Sequence, residues 1–296
     1  MHVHRFDNLA DFSAHVTPML LEREVENAWL LGRFVELAPR DVAPGAGDAE
    51  PVPLMWAVDD PGGRAVAAAM MSPRGDSARR HPVVVSRAAP DALAPLVSHL
   101  LKEQPDLPGV SAPDPTVDDF AAAWCAATGR ARRVVYGLGL HRLTRVAAPP
   151  SPGGTFRAAM EDDADWLVGW ADAFFQDLGE PEGLDFCARV VAERIAQRRL
   201  FLWCDPEPVS MAGWSGRTAN GVRINFVYTP RGCRRRGYAS ACVAALSQHL
   251  LDSGRRFCTL FTDLANPTSN KIYRQIGYEP RGQSLVILFD GATGTH

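Results

Sequence analysis

Glycine and arginine residues with the spacing of an anion site lie between a strand-like run and a helix-like run. The turn joining the two runs reads TPRGCRRRGYA, residues 229–239. The first N–H groups of a helix have no partner within it, and the helix dipole favours negative charge there. Gly237 would let an anion approach the backbone, and the three arginines 234–236 add positive charge. The segment predicts a diphosphate site; the alternative is a solvated basic turn before an ordinary helix.

A second polar segment, residues 266–278, reads NPTSNKIYRQIGY and predicts a helix that begins at Asn266 and carries Tyr273. Together the two segments resemble motifs A and B of the GNAT superfamily of N-acetyltransferases. The family loop Q/R-x-x-G-x-G/A stands here at residues 234–239. The pattern N-x-x-A-x-x-x-Y-x-x-x-G-F/Y stands at residues 266–278, with Ser269 in place of alanine. The resemblance covers residues 154–290.

The resemblance implies a set of contacts to acetyl-CoA, residue by residue. Backbone groups of Val227, Tyr228 and Thr229 would pair with the pantetheine arm and polarise the acetyl carbonyl. Main-chain amides of residues 235–240 would hold the pyrophosphate. The residues of that turn and helix start are Arg234, Arg235, Arg236, Gly237, Tyr238, Ala239 and Ser240. Asn266 would hydrogen-bond the pantetheine, with Asn270 a weaker candidate.

Tyr273 matches the tyrosine that, in the family, protonates the leaving thiolate. The chemistry is reasonable, because a phenol with a pKa of about 10 is protonated at neutral pH and can donate to a thiolate whose thiol has a pKa of about 8.5. The alternative is a core tyrosine on an amphipathic helix.

No base for the attacking amine can be named from the sequence. At pH 7, deprotonating a lysine-like amine costs about 4.6 kcal/mol, whereas an α-amine costs about 1.4 kcal/mol. Many family members place a glutamate on the strand before the loop, but residues 223–226 read RINF. A water relay through Asn225 and a carboxylate from elsewhere, such as Asp263, are both open.

The connection between two predicted helices, residues 174–185, stands where the family usually builds its acceptor site. It contains Phe174 and Phe175 and four acids: Asp177, Glu180, Glu182 and Asp185. This composition suits a cationic amine with an apolar body; a solvated loop is the alternative.

The organisation predicts an α/β (α+β) fold of two GNAT-like domains, each a mixed, mostly antiparallel sheet flanked by helices. A Pro/Gly-rich linker, residues 147–154, separates residues 1–146 from residues 155–296. The second part reads β-α-α-β-β-β-α-β-α-β, and the first part repeats the order more faintly. Tandem duplication is the favoured interpretation, although any α/β domain yields such an alternation.

The first domain is expected to be degenerate. Only residues 86–90, SRAAP, connect its strand to the next helix, without a glycine, and Trp124 and Cys125 stand where the tyrosine would be. It should lack a cofactor loop, pack against the second domain and wall the acceptor cleft. A further Pro/Gly-rich stretch, residues 43–53, is predicted to be a surface loop.

The composition excludes several classes of protein. The 296 residues carry a net charge of −3, with 46% hydrophobic and 22% charged residues, so neither a disordered chain nor a nucleic-acid binder is expected. No run is long enough to span a membrane and no signal peptide is visible, which predicts a cytoplasmic protein. The six cysteines show no paired spacing, and His2 and His4 lack sequence-near ligand partners, so no metal is expected. Trp166 and Trp170 are expected to pack in the core or between domains.

The sequence therefore predicts a tandem N-acetyltransferase that moves an acetyl group from acetyl-CoA to a primary amine, of a small molecule or a peptide, by direct attack in a ternary complex. A non-catalytic, CoA-binding regulatory protein is the alternative from another class. A third reading is an acyltransferase with a different acyl donor or a protein amine as acceptor.

Overall fold

The computed structural model describes residues 1–37, 53–72, 81–147, 149 and 152–291. Most of the predicted loop at 43–53 lies outside the described residues, as do three residues of the predicted linker: Ala148, Pro150 and Ser151.

Helices and strands alternate along the described chain. The helices are α1 (Leu9–Leu21), α2 (Ala28–Leu37), α3 (Pro90–Glu103), α4 (Thr116–Thr128), α5 (Ala164–Asp177), α6 (Leu184–Ala196), α7 (Tyr238–Asp252) and α8 (Pro267–Ile276). The strands are β1 (His2–Phe6), β2 (Leu54–Asp59), β3 (Ala65–Met71), β4 (Val83–Val85), β5 (Gly109–Pro113), β6 (Arg132–Leu143), β7 (Thr155–Ala158), β8 (Leu200–Cys204), β9 (Pro208–Ser215), β10 (Gly221–Tyr228), β11 (Phe257–Asp263) and β12 (Glu279–Phe289).

The chain divides into two compact units. Unit 1 contains Met1–Leu140, Asp263–Ala265 and Arg281–His296, and unit 2 contains His141–Thr262 and Asn266–Pro280. These bounds differ from the predicted ones in two ways. The chain passes from one unit to the other within β6, and the last strand, predicted within residues 155–296, belongs to unit 1 from Arg281 onward.

The sheet of unit 1 has the strand order β1-β2-β3-β4-β5-β12, followed by β6. β4 and β5 are parallel, whereas β12 runs antiparallel to β5, with Ile287 opposite Val110. Helices α1 and α2 cover one face through residues such as Phe12 and Phe34. Helices α3 and α4 cover the other face, where Ile287 packs in the same cluster as Trp124. Burial on both faces explains why β2, β3 and β4 are almost continuously apolar.

Two features near the N-terminus were not predicted. The helix-like sequence at residues 18–37 is divided between two helices, α1 and α2, and Pro18 lies inside α1. Helix α1 begins after Asn8, whose side chain accepts from the Asp11 amide at 2.8 Å. Before it, β1 forms an edge strand on β2. Its sequence HVHRF is short and breaks the polar–apolar alternation of a strand at Arg5, which made it hard to recognise.

Unit 2 contains a sheet of order β11-β10-β9-β8-β7. Strands β10 and β11 are parallel, and the other pairs are antiparallel. Helix α7 packs on one face through Cys242 and Leu246, and helices α5 and α6 pack on the other through Leu167 and Val191. The mixed, mostly antiparallel sheets with flanking helices confirm the predicted fold class. No helix in the described ranges is long and apolar enough to cross a bilayer.

Candidate functional site

Strands β10 and β11 stop pairing halfway along their length. Their parallel register within the described residues contains three pairs: Gly221 with Phe257, Val222 with Cys258 and Arg223 with Thr259. Both strands then continue, β10 to Tyr228 and β11 to Asp263. The pairing of β10 with β9 is itself irregular between Asn225 and Tyr228, where Phe226 has a φ of 54°. Phe226 and Val227 thus have no partner in either register, as expected at a β-bulge beside a site.

The turn after β10 exposes a run of unpaired amides. Arg235 and Gly237 have φ angles of 62° and 85°, and Gly237 is the N-cap of α7. The first helical bond runs from the Ala241 amide to the Gly237 carbonyl at 3.0 Å. Across the described part of the chain, the amides of residues 235–240 have no acceptor. This is the donor set that a phosphate needs at a helix N-terminus.

Gly237 fits this role through its backbone conformation. A Cβ added there would meet nothing closer than Pro152 at 3.8 Å, so space is not the constraint. The positive φ is the constraint, because L-residues avoid it.

The three predicted arginines have different surroundings. Arg234 donates from Nε to the Thr229 carbonyl at 2.9 Å, pairs through Nη2 with Asp177, and lies over the Tyr228 ring at 5.7 Å. Arg235 and Arg236 are exposed. Arg234 is therefore occupied by the protein itself.

The residues that flank the turn are also hydrogen-bonded. Tyr238 is buried and donates its hydroxyl to Asp205 at 2.7 Å, a bond that raises the pKa of this phenol. Ala239 is half-buried and Ser240 is buried. Ser210 donates to the Tyr228 carbonyl at 3.2 Å, and its Oγ lies 2.8 Å from Thr229 Oγ1. Of the three predicted pantetheine partners, only Val227 lies in the stretch without a strand partner.

Asn266 is the N-cap of helix α8, which contains Asn270 and Tyr273. Asn266 caps the helix, its Oδ1 accepting from the Ser269 amide at 3.1 Å. Its carbonyl accepts from the side chain of Asn270 at 2.8 Å. Tyr273 is half-buried and, like Val227, borders the core cluster beneath α7.

The Tyr273 hydroxyl has no hydrogen-bond partner among the described residues. Burial raises the pKa of Tyr273 to about 12, so the group keeps its proton throughout the neutral range. Its ring packs edge-on against Tyr278 at 5.9 Å. The residue therefore has both a packing contact and a free proton donor.

Where the family places a glutamate, this chain has a network of amide, hydroxyl and guanidinium groups. Asn225 accepts from Arg194 at 3.1 Å and donates to Ser215 at 2.6 Å. Arg223 donates to the same Ser215 hydroxyl at 3.1 Å. Asp263 belongs to unit 1 and accepts from the Ala265 amide at 2.8 Å. The structure therefore does not favour either alternative for the base, the water relay through Asn225 or the Asp263 carboxylate.

Several residues of the predicted acceptor segment, 174–185, are engaged in packing and ion pairs. Phe174 and Phe175 lie within α5 and contact the Phe226 ring, at centroid distances of 4.9 and 5.9 Å. Asp177 pairs with Arg231 and Arg234. Glu180 is exposed, and Glu182 is half-buried. Two of the features that suggested a cationic acceptor therefore have structural partners.

The other candidates have structural roles. Trp166 and Trp170 pack edge-on at 4.9 Å within unit 2. His4 has a carboxylate partner that the sequence did not reveal: the buried Asp59, 3.0 Å away, which also binds His15 at 2.8 Å. No group of side chains in the described ranges is arranged to hold a metal ion.

In the corresponding connection of unit 1, three amides have acceptors within the unit. The Ser86 amide donates to the Ala68 carbonyl, the Arg87 amide to the Asn27 side chain and the Ala88 amide to Thr116 Oγ1. The amides of the turn at residues 235–240 differ from these three. Two of the acceptors in unit 1 are side chains distant in the sequence, Asn27 and Thr116.

Comparison with known proteins agrees with this geometry. A family model described as FR47-like protein matches residues 203–287. A GNAT-family acetyltransferase from Colwellia psychrerythraea has a TM-score of 0.58 at 13% identity and covers 98% of this chain and 99% of its own. A GCN5-related N-acetyltransferase from Sphaerobacter thermophilus has a TM-score of 0.62 at 16% identity, with coverages of 97% and 95%. A tandem GNAT protein from the clavulanic acid biosynthesis pathway has a TM-score of 0.54 at 14% identity and full coverage of both chains.

The chain therefore has the fold of the GNAT acetyltransferases, and the resemblance that the two motifs predicted is confirmed for the fold. Among the curated proteins, none matches this sequence.

Proposed function

We propose that the chain is an N-acetyltransferase that moves the acetyl group of acetyl-CoA to a primary amine by direct attack in a ternary complex. The observation that carries this proposal is the run of amides at residues 235–240, which have no acceptors in the described part of the chain. The run lies at the N-terminus of α7 and next to the irregular end of β10. Fold similarity alone does not assign an activity.

The residues present fit the donor. The amides of residues 235–240 would take the diphosphate, with the exposed Arg235 and Arg236 adding charge. Gly237 adopts the required conformation without obstructing the backbone. Backbone groups of Val227 would pair with the pantetheine arm, and the amide side chain of Asn266, exposed at the start of α8, would assist.

Tyr273 is the proposed catalytic acid. Acetyl-CoA supplies an acetyl group activated as a thioester, and transfer leaves a thiolate. Tyr273 is suited to protonate it, because its raised pKa keeps the proton on the phenol and no acceptor among the described residues competes for it.

The amine has to lose its proton to a group that the described site does not supply. Residues 223–226 contain no carboxylate, and both polar atoms of Asn225 are hydrogen-bonded. An amine of low pKa is the better acceptor for such a site, since its neutral form is more abundant at pH 7.

The same observation favours a second candidate function. A CoA-binding regulatory protein needs the amide run but no base. It predicts CoA binding with no thiol release across a broad panel of amines.

Two measurements test the proposal. Acetyl-CoA should raise the melting temperature of the full chain, and acetyl-CoA with a panel of polyamines, aminoglycosides, amino acids and peptides should release free thiol. Gly237→Glu should abolish the thermal shift, because it brings a carboxylate to the phosphate site. Tyr273→Phe should keep binding but lower turnover about 100-fold.

Tyr136→Phe is the matched control, since Tyr136 is an exposed tyrosine of unit 1. Wild-type rates in both Gly237→Glu and Tyr273→Phe would refute the proposed activity. Binding without any thiol release would favour the regulatory protein.

A further inference from the structure

The last residue of α5 is joined to the turn that carries the unpaired amides. Asp177 accepts from Arg234 Nη2 and lies 3.7 Å from Arg231 Nη2. We infer that Asp177 is a positioning residue that acts through Arg234: the ion pair between them holds the connection after α5 in place. Ligand binding at the turn and the order of this connection are therefore coupled. This inference rests on the proposed function, because it assumes that the donor binds at the turn and the acceptor beside the connection.

Arg234 is held in place independently of Asp177. Its Nε donates to the Thr229 carbonyl at 2.9 Å, and its guanidinium lies 5.7 Å from the centre of the Tyr228 ring. Exposed ion pairs are usually weak because two long side chains must be ordered. Here the arginine side chain is already restrained, so most of that entropic cost is absent from the pair with Asp177.

The position of Asp177 also calls for an explanation. A carboxylate in the last turn of a helix faces the negative end of the helix dipole, which is unfavourable. The nearest carboxylate on the same helix, Asp172, is away from the end and binds only Gln176 among its described partners, at 2.7 Å. Arg231 and Arg234 offset the unfavourable charge of Asp177, which therefore depends on the turn.

A diphosphate at residues 235–240 would change this balance. It would attract the same two arginines and repel the carboxylate. We therefore expect donor binding to weaken the hold of Asp177 and to loosen residues 178–183, where α5 and α6 are connected. The acceptor connection would then be tighter in the free protein than in the donor complex.

The test is hydrogen–deuterium exchange of the amides of residues 178–183 in the full chain, without and with CoA. In the free protein, Asp177→Asn should raise exchange there about two- to fivefold, whereas Asp172→Asn should not. CoA should raise exchange in the wild type to a similar level and add little in Asp177→Asn. Asp177→Glu should restore the wild-type pattern.

CoA affinity distinguishes this coupling from a purely structural role of Asp177, because a purely structural role would weaken CoA binding when Asp177 is replaced. With one negative charge fewer near the diphosphate, Asp177→Asn should bind CoA as tightly as the wild type or up to about threefold more tightly, and 0.5 M salt should reduce the difference. Weaker CoA binding would show that the substitution merely distorts the turn, and it would overturn the inference.

Equal exchange in Asp177→Asn and Asp172→Asn would overturn it as well. A wild-type chain that does not bind CoA at all would instead refute the proposed function. The comparison of the free variants would still report on the ion pair.

Discussion

Arg194 donates from Nη1 to Oδ1 of Asn225 across 3.1 Å, and Asn225 in turn donates from Nδ2 to Ser215 across 2.6 Å. Both polar atoms of the amide are therefore committed to neighbours. A side chain held in this way is poorly placed to relay a proton from an amine. At the position where many GNAT proteins carry a glutamate, this chain has a hydrogen-bonded network.

Asn225→Ala should consequently lower kcat/KM by less than about tenfold, below the usual contribution of a general base. It should lower stability more clearly, because Arg194 and Ser215 lose a half-buried partner; we expect about 1–2 kcal/mol. Steady-state kinetics and urea unfolding measure the two effects. A loss of activity near 1000-fold with unchanged stability would identify Asn225 as part of a relay.

The pH dependence of turnover should follow the amine and not the tyrosine. Burial raises the pKa of Tyr273 from about 10 to about 12. The phenol therefore keeps its proton below pH 10 and loses it only as the pH rises through about 12. The neutral amine becomes more abundant with pH, and kcat/KM should rise up to the pKa of the amine, about 8 for an α-amine and about 10 for a lysine-like amine. A fall between about pH 8 and pH 10 in the wild type that disappears in Tyr273→Phe would contradict this assignment.

Gly237→Ala and Gly169→Ala should change stability in opposite directions. Gly237 has a φ of 85°, and alanine in that conformation costs about 1–2 kcal/mol. Gly169 lies within α5 with nothing within 4 Å of an added Cβ, so alanine should stabilise by up to about 1 kcal/mol through helix propensity. Chemical denaturation of both variants measures the difference. Equal changes in the free energy of unfolding would mean that the turn at Gly237 relaxes to accommodate alanine.

In unit 1, Asn27→Ala should be strongly destabilising. Asn27 is buried, donates to the Leu20 carbonyl at 3.1 Å and accepts from the Arg87 amide at 3.2 Å. Its removal leaves the half-buried Arg87 amide without this acceptor, at about 1–3 kcal/mol before relaxation, whereas the Leu20 carbonyl still accepts from the Arg23 amide at 3.3 Å. Asn8→Ala, at an exposed helix cap, should cost only about 1 kcal/mol. Thermal unfolding compares the variants, and a larger effect for Asn8 would contradict the assignment.

The sequence predicted the elements of the second half because its signals are local. Gly237 and Gly277 mark helix boundaries through their positive φ angles, and α7 keeps its apolar residues at helical spacing. Both motifs could be located for the same reason. The edge strand β1 was missed because it has only five residues and its polar–apolar alternation breaks at Arg5.

Other features depend on distant parts of the chain and could not be predicted from local patterns. The Asp177–Arg234 pair joins α5 to the turn after β10, and the Asn27–Arg87 bond joins the first helices to the connection before α3. The partner of β12 is likewise set by sheet pairing, not by the residues of the strand itself. Such contacts decide which of the chemically suitable groups remain available.

The pairing of β12 with β5 also has a consequence for biosynthesis. The sheet of unit 1 is incomplete until residues near 110 pair with residues near 287. Unit 1 therefore cannot finish folding on the ribosome until the chain has been translated beyond those later residues. Until then β5 presents an open edge to other nascent chains. Separate expression of residues 1–146 would make that exposure permanent, and such a fragment should aggregate.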